Sequence, residues 1–527
     1  MQKPEDIKIT YTTKADPAVL DAFHGAYDAA IAAIRAEFGR EYPLMIGGEE
    51  VRSEAAPIVD VSPIDTSVVI GKFQAATAAH VDQAVKAAKA AQRAWGRVPW
   101  LERCTILRRA AQLIRQHKFE LAALMSIEVG KSRMEAMGDA EESADLIDYY
   151  CQQMEDAGGF IKRMNQITPV ETNTSVLRPY GVFACIAPFN FPFALSCGMS
   201  SAALIAGNTL VFKPAEDASL SGWKLYQLYV QAGVPAGAFN FLTGVGEDMG
   251  DALWQHPEVD GVVFTGSKQV GMRIFRGFSS RWVKPVLMEL GGKNPAVIME
   301  TADLDAAAEG VAKSAWGLQN QKCSACSRVY VHKDVAAAFT EKLLAKTQQL
   351  KMGDPSERDV NFGPVISEQA VRKYESAVAR AREEGEVLTG GERLSGGVFD
   401  KGHFLAPTVV KAPLGSSLFT EEFFAPFLAI GEIESLDQAL AEANKVEYGL
   451  TAGIFSGKPE ELERYFDEVE AGVVYANKRT GATTGAWPGA QPFCGWKGSG
   501  GSGKGGCGPY YVAQFMREQT RTLIVEE

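Results

Sequence analysis

The feature that most limits the fold of this chain is an alternation of short apolar runs with helical segments between residues 182 and 278. Short runs that are apolar throughout are typical of strands buried on both faces. When such strands alternate with helices, they predict βαβ units around a parallel sheet, and therefore an α/β fold. The predicted strands are 182–187, 209–212, 239–242 and 261–264, and the predicted helices are 219–232, 248–256 and 268–278.

The remaining segments extend the α/β pattern. A helix is predicted at 15–40 and short strands with turns at 44–66. Helices are predicted from Thr77, an expected N-cap, to about 154, with breaks at Pro99 and Gly130. A second alternation of strands and helices runs from 296 to about 470, and the stretch 487–508, rich in Gly and Pro, is expected to be loop.

Length, charge and cysteine content narrow the class of protein. The 527 residues correspond to three or four domain-sized units. The net charge of −12 argues against nucleic acid or an anionic membrane as partner, because both bind basic surfaces. The most apolar stretch, 182–197, is too short and too broken to span a bilayer. The eight cysteines show no disulfide spacing, which favours a reducing cytoplasm.

Cys323 and Cys326 form a Cys-x-x-Cys pair with several possible meanings. Beside a βαβ pattern the pair could be a redox couple. A zinc site needs two further ligands at a fitting spacing, which the sequence lacks, so no metal is expected. Cys323 could also be a lone catalytic thiol with Cys326 as a packing residue, and composition alone favours two buried structural cysteines.

Two segments are candidates for phosphate binding. The segment 244–250 approaches a dinucleotide fingerprint, but its third glycine comes one place late. The segment 264–267 ends an apolar strand and opens a helix, where free N–H groups suit a pyrophosphate. An ordinary strand-to-helix turn with Ser267 as N-cap fits the same residues equally well.

Glu289 and Asn190 are polar residues in apolar surroundings. Glu289 follows an apolar run, and desolvation would raise the pKa of its carboxyl, as suits a general base. Asn190 lies in a Pro-flanked apolar turn, where its amide could donate to an oxyanion. The alternatives are a surface glutamate at a strand end and an asparagine that caps a turn.

A thiol, an amide donor, a carboxylate and a phosphate-binding turn on one parallel-sheet framework suit an acyl-forming dehydrogenase. The chain resembles the aldehyde dehydrogenase superfamily from about Pro43 to Val525. The motifs that carry the resemblance stand in order: APFNFP at 187–192, FKPAE at 212–216, FTGS at 264–267, ELGGKN at 289–294, GLQNQKC at 317–323, EEFFAP at 421–426 and PFCGW at 492–496.

The resemblance implies a covalent mechanism. Cys323 would attack the aldehyde carbon, and the Asn190 amide with the Cys323 N–H would hold the oxyanion. Hydride transfer would leave a thioacyl enzyme, and Glu289 would activate the water that hydrolyses it.

The resemblance also implies NAD as the cofactor, with NADP possible. The carboxylate of Glu216 would repel a 2′-phosphate and so favours NAD. The implied cofactor residues are Lys213 and Glu216 at the adenosine ribose, Gly266 and Ser267 at the pyrophosphate, and Glu422 and Phe424 at the nicotinamide ribose and ring.

Within the superfamily, the chain is most similar to the branch that oxidises glutamate γ-semialdehyde to glutamate in proline catabolism. The serine after the nucleophile, a Thr-Gly-Ala triplet at 484–486 followed by 491–493, and the long helical lead support this. A fixed carboxylate anchor would set the distance from the substrate carboxylate to the thiol. By likeness, the anchor is Ser324 with the N–H groups of Gly485 and Ala486, and Phe191 and Phe493 flank the substrate chain.

Four departures from the family pattern concern the substrate rather than the reaction. Three extra residues fall near 478–483, and a second Thr-Gly-Ala triplet at 480–482 could take the place of the anchor. Asn320, Ala425 and Cys494 stand where glycine is usual. Another carboxylated semialdehyde is therefore the second candidate substrate. A CoA-acylating enzyme, which usually lacks the base, and a non-catalytic homologue are less favoured.

The resemblance implies two Rossmann-like parallel-sheet domains and a β-strand arm. The expected NAD-binding domain is 1–161 with 182–288, the catalytic domain 289–473, and the oligomerisation arm with the anchor loop 162–181 with 474–527. A homodimer or larger homo-oligomer is expected from strand exchange. The chain has no spare length for a fused proline dehydrogenase, so that enzyme is expected to be a separate protein.

Overall fold

The alternating segments from 182 to 289 form a mainly parallel sheet, called the first sheet, in the computed structural model of the protein. The structure describes residues 8–10, 13 and 16–525. The predicted strands are confirmed to within one residue at either end. In spatial order the strands are Val286–Glu289, Gly261–Thr265, Val182–Ile186, Thr209–Lys213, Phe239–Phe241, Leu44–Ile46 and Glu49–Val51, of which the last two are antiparallel additions.

Both faces of the first sheet are apolar because helices cover both. Phe183 and Cys185 pack into one hydrophobic core, whereas their neighbours Val182 and Ala184 pack into another. Alternate residues of a strand point to opposite faces, so a strand between two cores must be apolar throughout. The helices of this half of the chain are Pro17–Arg35, Ala78–Trp95, Trp100–Val129, Arg133–Asp156, Ala194–Ile205, Ser219–Ala232, Asp251–Trp254 and Lys268–Phe278.

Local sequence explains where these helices begin and end. Thr77 forms a capping box with His80, and Pro99 precedes the next helix. Gly130 ends that helix with a φ of 75°, a conformation that glycine adopts without a steric cost. The helix predicted at 248–256 is shorter than expected, because a wide turn at Gly246–Gly250 precedes Asp251–Trp254.

The second alternation forms the second sheet, which is parallel except for one edge strand. The helices of this half of the chain are Leu304–Trp316, Ala336–Gln348, Glu368–Glu384, Leu436–Asn444 and Pro459–Glu468. In spatial order its strands are Glu386–Thr389, Thr408–Lys411, Phe427–Ile433, Cys326–His332, Asn294–Ile298, Thr451–Phe455 and Val473–Ala476.

A third, antiparallel sheet joins two distant parts of the chain. The strand Met516–Ile524 pairs along its length with Glu171–Pro179, which also pairs with Ile161–Arg163. Two smaller sheets are also present. Val69–Phe73 pairs with Arg40–Tyr42 on one side and with Ile58–Val61 on the other, and Tyr448–Gly449 pairs with Trp496–Lys497. The stretch 487–508 is otherwise loop, as predicted. Within the described ranges, no helix is both long and apolar enough to cross a membrane.

The predicted domain boundaries remain a proposal, and three of them fall inside strands, in Ile161–Arg163, Val286–Glu289 and Val473–Ala476. The ends of the predicted segments at 1–7, 11–12, 14–15 and 526–527 lie outside the described residues.

Arg328 joins the second sheet to the helix Leu436–Asn444. Its buried guanidinium donates to the carbonyls of Lys293, Glu442 and Ala443 at 2.7, 3.0 and 2.8 Å. Arg328→Met is expected to lower the free energy of unfolding by about 3 kcal/mol, because it leaves buried carbonyls without donors. The urea midpoint measured by circular dichroism checks this. Arg464→Met, which removes a solvent-exposed pair with Glu468, should shift the midpoint little; equal shifts would contradict the assignment.

Candidate active site

A cavity of about 580 Å³ lies where the carboxyl end of the first sheet approaches the second sheet. Glu289, the last residue of a strand of the first sheet, reaches it from one side. Cys323 and Ser324, just before a strand of the second sheet, reach it from the other side. The walls also include the tail residues Gly485, Ala486 and Phe493 and the ring of Phe191.

The loop of Cys323 has an unusual backbone. Leu318, Gln319 and Asn320 all have positive φ, at 48°, 54° and 62°. Asn320 is a residue type that tolerates this conformation, which explains how it replaces the usual glycine. The Asn294 amide donates to the carbonyls of Cys323 and Ala325 at 2.7 and 2.9 Å, so the loop is held at both sides of the thiol.

The Cys323 thiol is partly exposed to the cavity but is surrounded by protein and acidic groups. Burial, with smaller contributions from Glu289 and Glu422, raises the pKa of this thiol to about 12. The backbone N–H groups of Ser324 and Cys323 act in the opposite direction. The thiol is therefore neutral in the free protein at physiological pH, and a ligand or cofactor must promote its ionisation.

Cys326 lies in the core of the second sheet, and its Sγ contacts the Arg328 carbonyl at 3.5 Å. Cys326 is a free, buried cysteine, and Cys323 is also free but only partly buried. Among the described residues there is no group of three or more His, Cys, Asp or Glu side chains that could hold a metal ion. The arrangement matches a lone thiol with a packing cysteine three residues later.

Glu289 has a buried carboxyl with one oxygen unpartnered in the described structure. Burial raises its pKa well above the usual range of a carboxyl, and a hydrogen bond from the Gly495 backbone partly opposes this. A carboxyl held in this way gains a proton readily and is a general base when ionised.

Asn190 is buried and lies outside the walls of the cavity. Its Nδ2 donates to the Gln321 carbonyl at 2.9 Å, two residues before the nucleophile. A side-chain amide has two N–H groups, so one remains for an oxyanion. The observed bond also makes Asn190 a support for the Cys323 loop, a role that the sequence did not indicate.

The predicted cofactor residues at the first sheet lie at the carboxyl ends of Thr209–Lys213 and Gly261–Thr265, the two strands that flank Val182–Ile186. Doubly wound sheets bind nucleotides at these ends of their strands. Lys213 Nζ and Glu216 Oε1 form an ion pair of 2.9 Å. Ser267 is the N-cap of Lys268–Phe278 and accepts the Val270 N–H. The N–H of Gly266 donates to the Glu289 carbonyl at 3.1 Å, so this N–H is used within the protein, and cofactor contact by Gly266 stays a prediction.

The two predicted nicotinamide residues lie beside the Cys323 loop, around a small cleft of their own. Glu422 accepts the Gly292 N–H at 2.8 Å, and burial raises the pKa of its carboxyl to about 6. An added Cβ at Gly291 would lie 2.2 Å from the Glu422 carboxylate, so this approach requires glycine. Phe424 has a φ of 53° and packs edge-on against Phe189, beside the buried Ala425.

The two Thr-Gly-Ala triplets of the tail differ in their contacts with the rest of the protein. In the first triplet, Ala482 is buried and its N–H donates to the Gly310 carbonyl. Gly485 and Ala486, from the second triplet, line the cavity together with Ser324. Between the triplets, the Thr483 hydroxyl donates to the Ser324 carbonyl at 2.7 Å. Thr480 of the first triplet also reaches the cavity, but the N–H groups of Gly481 and Ala482 donate to the carbonyls of Lys478 and Gly310. The predicted anchor at Gly485 and Ala486 therefore keeps its place at the cavity wall.

Charged residues that the sequence did not single out support Phe191. Lys131 is fully buried, pairs with Asp139 at 2.6 Å and lies 3.7 Å from the centre of the Phe191 ring. Asp139 also accepts the Ala194 N–H, which follows the Phe191 turn. Lys131 and Asp139 are eight residues apart, and no local sequence pattern indicates that they pair or that they contact Phe191.

Cys494 replaces a glycine beside the residue whose N–H supports Glu289. It is half-buried, and burial with the nearby Glu289 raises the pKa of its thiol. Its Sγ lies 4.0 Å from the Gly472 carbonyl. The side chain is thus accommodated without displacing Glu289 from the cavity.

Comparison with known proteins identifies the class. The profile of the aldehyde dehydrogenase family matches residues 51–521, and the chain belongs to this family.

Among individual proteins, the chain is similar to enzymes named 1-pyrroline-5-carboxylate dehydrogenase. That of Geobacillus thermodenitrificans is 38% identical over 95% of this chain and 96% of its own length. The Thermus enzyme of that name, solved with bound NAD, has a TM-score of 0.92 at 36% identity, covering 98% of this chain and 100% of the other. Proline utilization A of Bdellovibrio bacteriovorus has a TM-score of 0.92 at 33% identity, covering 100% of this chain and 54% of the other.

The raised pKa of Cys323 predicts slow alkylation in the free protein. The rate of modification by iodoacetamide should rise with pH from 7 to 10, since only the thiolate reacts. Glu289→Gln removes a nearby carboxylate, lowers the pKa of the thiol and should raise the rate at the alkaline end. Mass spectrometry of the peptide that contains Cys323 measures the rate, with Cys323→Ala as control. A rate that is already constant above pH 7 would contradict the prediction.

Proposed function

We propose that this protein oxidises glutamate γ-semialdehyde, the open form of 1-pyrroline-5-carboxylate, to glutamate with NAD. The observation that carries the proposal is a single cavity that holds the Cys323 thiol, the Glu289 carboxyl and the anchor of Ser324, Gly485 and Ala486. Extensive similarity to enzymes named for this reaction supports it.

The described residues fit an NAD molecule along the carboxyl ends of the first sheet. The Lys213–Glu216 pair suits the hydroxyls of the adenosine ribose. The N–H groups of Lys268 and Gln269, which open the helix Lys268–Phe278, have no partners within the helix and suit a pyrophosphate. Glu422 and Phe424 suit the nicotinamide ribose and ring. When bound, NAD accepts the hydride that leaves the substrate carbon.

Cys323 begins the reaction. Its ionised sulfur adds to the aldehyde carbon, and the carbonyl oxygen becomes an oxyanion. The N–H of Cys323 and the second N–H of the Asn190 amide stabilise this charge. The Asn294 amide and the Asn190–Gln321 bond keep the sulfur in place during the attack. Loss of hydride from the same carbon restores the carbonyl as a thioester on Cys323.

Glu289 completes the reaction. Its carboxylate takes a proton from water, and the resulting hydroxide adds to the thioester carbon. The C–S bond then breaks, and glutamate and the Cys323 thiolate are released. Because burial raises the pKa of Glu289, the protein provides a stronger base than an ordinary carboxylate, once it is ionised.

The far end of the cavity selects the substrate. The Ser324 hydroxyl and the N–H groups of Gly485 and Ala486 bind the α-carboxylate, and Phe191 and Phe493 lie along the carbon chain. A carboxylate held there leaves the aldehyde carbon near Cys323 only for a chain of suitable length.

We further propose that the protein is a cytoplasmic homo-oligomer that works with a separate proline dehydrogenase. The eight cysteines are free, as a reducing compartment requires. The third sheet carries the exposed apolar residues Leu523 and Ile524, and Val525, which is also exposed, follows them. A contiguous apolar edge of this kind favours pairing with another subunit.

A substrate comparison tests the proposal. Purified protein should form NADH from glutamate γ-semialdehyde with a kcat/KM about 10²-fold or more above that for pentanal, because pentanal leaves the anchor unpaired. Succinate semialdehyde and added CoA distinguish the alternative substrate and the acylating reaction. Cys323→Ala should abolish NADH formation. Equal kcat/KM values for the semialdehyde and pentanal would rule out the substrate assignment.

Glu289→Gln should separate the two halves of the reaction. Without the base, the thioacyl enzyme accumulates, so stopped-flow absorbance should show one NADH per active site followed by slow turnover. In the wild type, steady-state kcat should rise with pH until Glu289 is ionised, since only the carboxylate is a base; the variant should lose this rise. Fast turnover with an unchanged pH profile would exclude Glu289 as the base.

A further inference from the structure

Lys478 is a half-buried lysine without a carboxylate partner among the described residues. It follows the strand Val473–Ala476 and belongs to the segment that departs from the family spacing. Its Nζ lies 4.0 Å from the centre of the Tyr475 ring, and burial lowers the pKa of its ammonium to about 8. The ammonium is therefore mostly charged at neutral pH, and the energy of its burial must be offset by other contacts.

Those contacts are two successive backbone carbonyls. Lys478 Nζ donates to the carbonyl oxygen of Thr484 and, at 3.4 Å, to that of Gly485. One cation thus faces two peptide groups of the loop that carries the predicted anchor. Gly485 itself has a φ of 92°, which an L-residue rarely adopts.

The direction of these carbonyls determines the direction of the N–H groups on the same peptides. In a trans peptide, the C=O of one residue and the N–H of the next point in opposite directions. The Thr484 carbonyl shares its peptide with the Gly485 N–H, and the Gly485 carbonyl shares its peptide with the Ala486 N–H. Carbonyls that converge on Lys478 therefore turn both N–H groups away from it.

Both N–H groups remain available for a ligand. Within the described part of the chain, neither the Gly485 nor the Ala486 N–H is a hydrogen-bond donor. Both residues line the cavity that contains Cys323. Successive N–H groups on one side of a loop form an anion-binding concavity.

We infer that Lys478 is a positioning residue for the substrate carboxylate: it holds the Thr484 and Gly485 carbonyls so that the two N–H groups behind them face the cavity. This inference rests on the proposed function, in which those N–H groups bind the α-carboxylate. The ammonium also lies at the carbonyl end of both peptide dipoles and adds positive potential at the anchor. Lys478 acts through the loop and not through contact with the reacting atoms.

Lys478→Met tests the inference by the split between KM and kcat. The variant should raise KM for glutamate γ-semialdehyde about tenfold, the effect of losing a charge-assisted hydrogen bond. The kcat should stay within about twofold, and kcat/KM for pentanal should not change, since neither depends on the carboxylate. Lys478→Arg retains the charge and the donors and should recover most of the affinity.

Arg479→Met is the matched control. It removes a cation one residue along, whose guanidinium pairs with Glu309 at 2.7 Å and does not contact the carbonyls of Thr484 or Gly485. Its KM for the semialdehyde should match that of the wild type. A rise as large as that of Lys478→Met would show that net charge, and not the loop contact, is responsible.

The inhibition constant of glutarate, a five-carbon dicarboxylate, gives a test that does not depend on turnover of the semialdehyde. Competitive inhibition by glutarate against pentanal should weaken about tenfold in Lys478→Met. If the wild type does not prefer the semialdehyde but glutarate shows this difference, the proposed substrate fails and the role of Lys478 stands. If Lys478→Met leaves both constants unchanged, or lowers kcat/KM for pentanal as strongly as for the semialdehyde, the positioning role is wrong.

Discussion

The active site depends on one amide. Asn294 begins a central strand of the second sheet, donates to the carbonyls of Cys323 and Ala325, and accepts the Thr451 N–H at 3.0 Å. Both of its N–H groups and its oxygen are used, so the side chain has a single arrangement. The nucleophile loop is thereby joined to the two strands that flank Asn294–Ile298.

Desolvation gives the site its chemistry. The Cys323 thiol and the Glu289 carboxyl lie in a region of low polarity, and burial raises the pKa of each. Ionising one opposes ionising the other, because both become anions. Burial in this region therefore favours the neutral forms of both Cys323 and Glu289 over their anions. Charges that are held outside the reacting region, such as the Lys131–Asp139 pair, support the aromatic wall without altering this balance.

Much of the fold and the reacting groups could be predicted from the sequence. The strands of the first sheet follow from apolar runs, and Cys323, Glu289 and Ser324 follow from motifs that the family shares. For Asn190, the bond to the Gln321 carbonyl was not foreseen, and its oxyanion role stays a proposal. The hydrogen bond from the Gly266 N–H to the Glu289 carbonyl of the neighbouring strand was not foreseen. Strand pairing across the sheet is a long-range property that a local motif does not contain.

What the sequence by itself determined is the alternation of strands and helices and the kind of chemistry that the motifs carry, because periodicity and residue type are local properties. Only the tertiary structure decided which of two identical Thr-Gly-Ala triplets places its glycine and alanine at the cavity of the thiol. It also decided that the ammonium of Lys478 lies behind the anchor and that Asn294 holds the nucleophile loop. These contacts join residues whose separation in space depends on how the sheets and the tail pack, and burial in that packing sets the pKa values of the reacting groups.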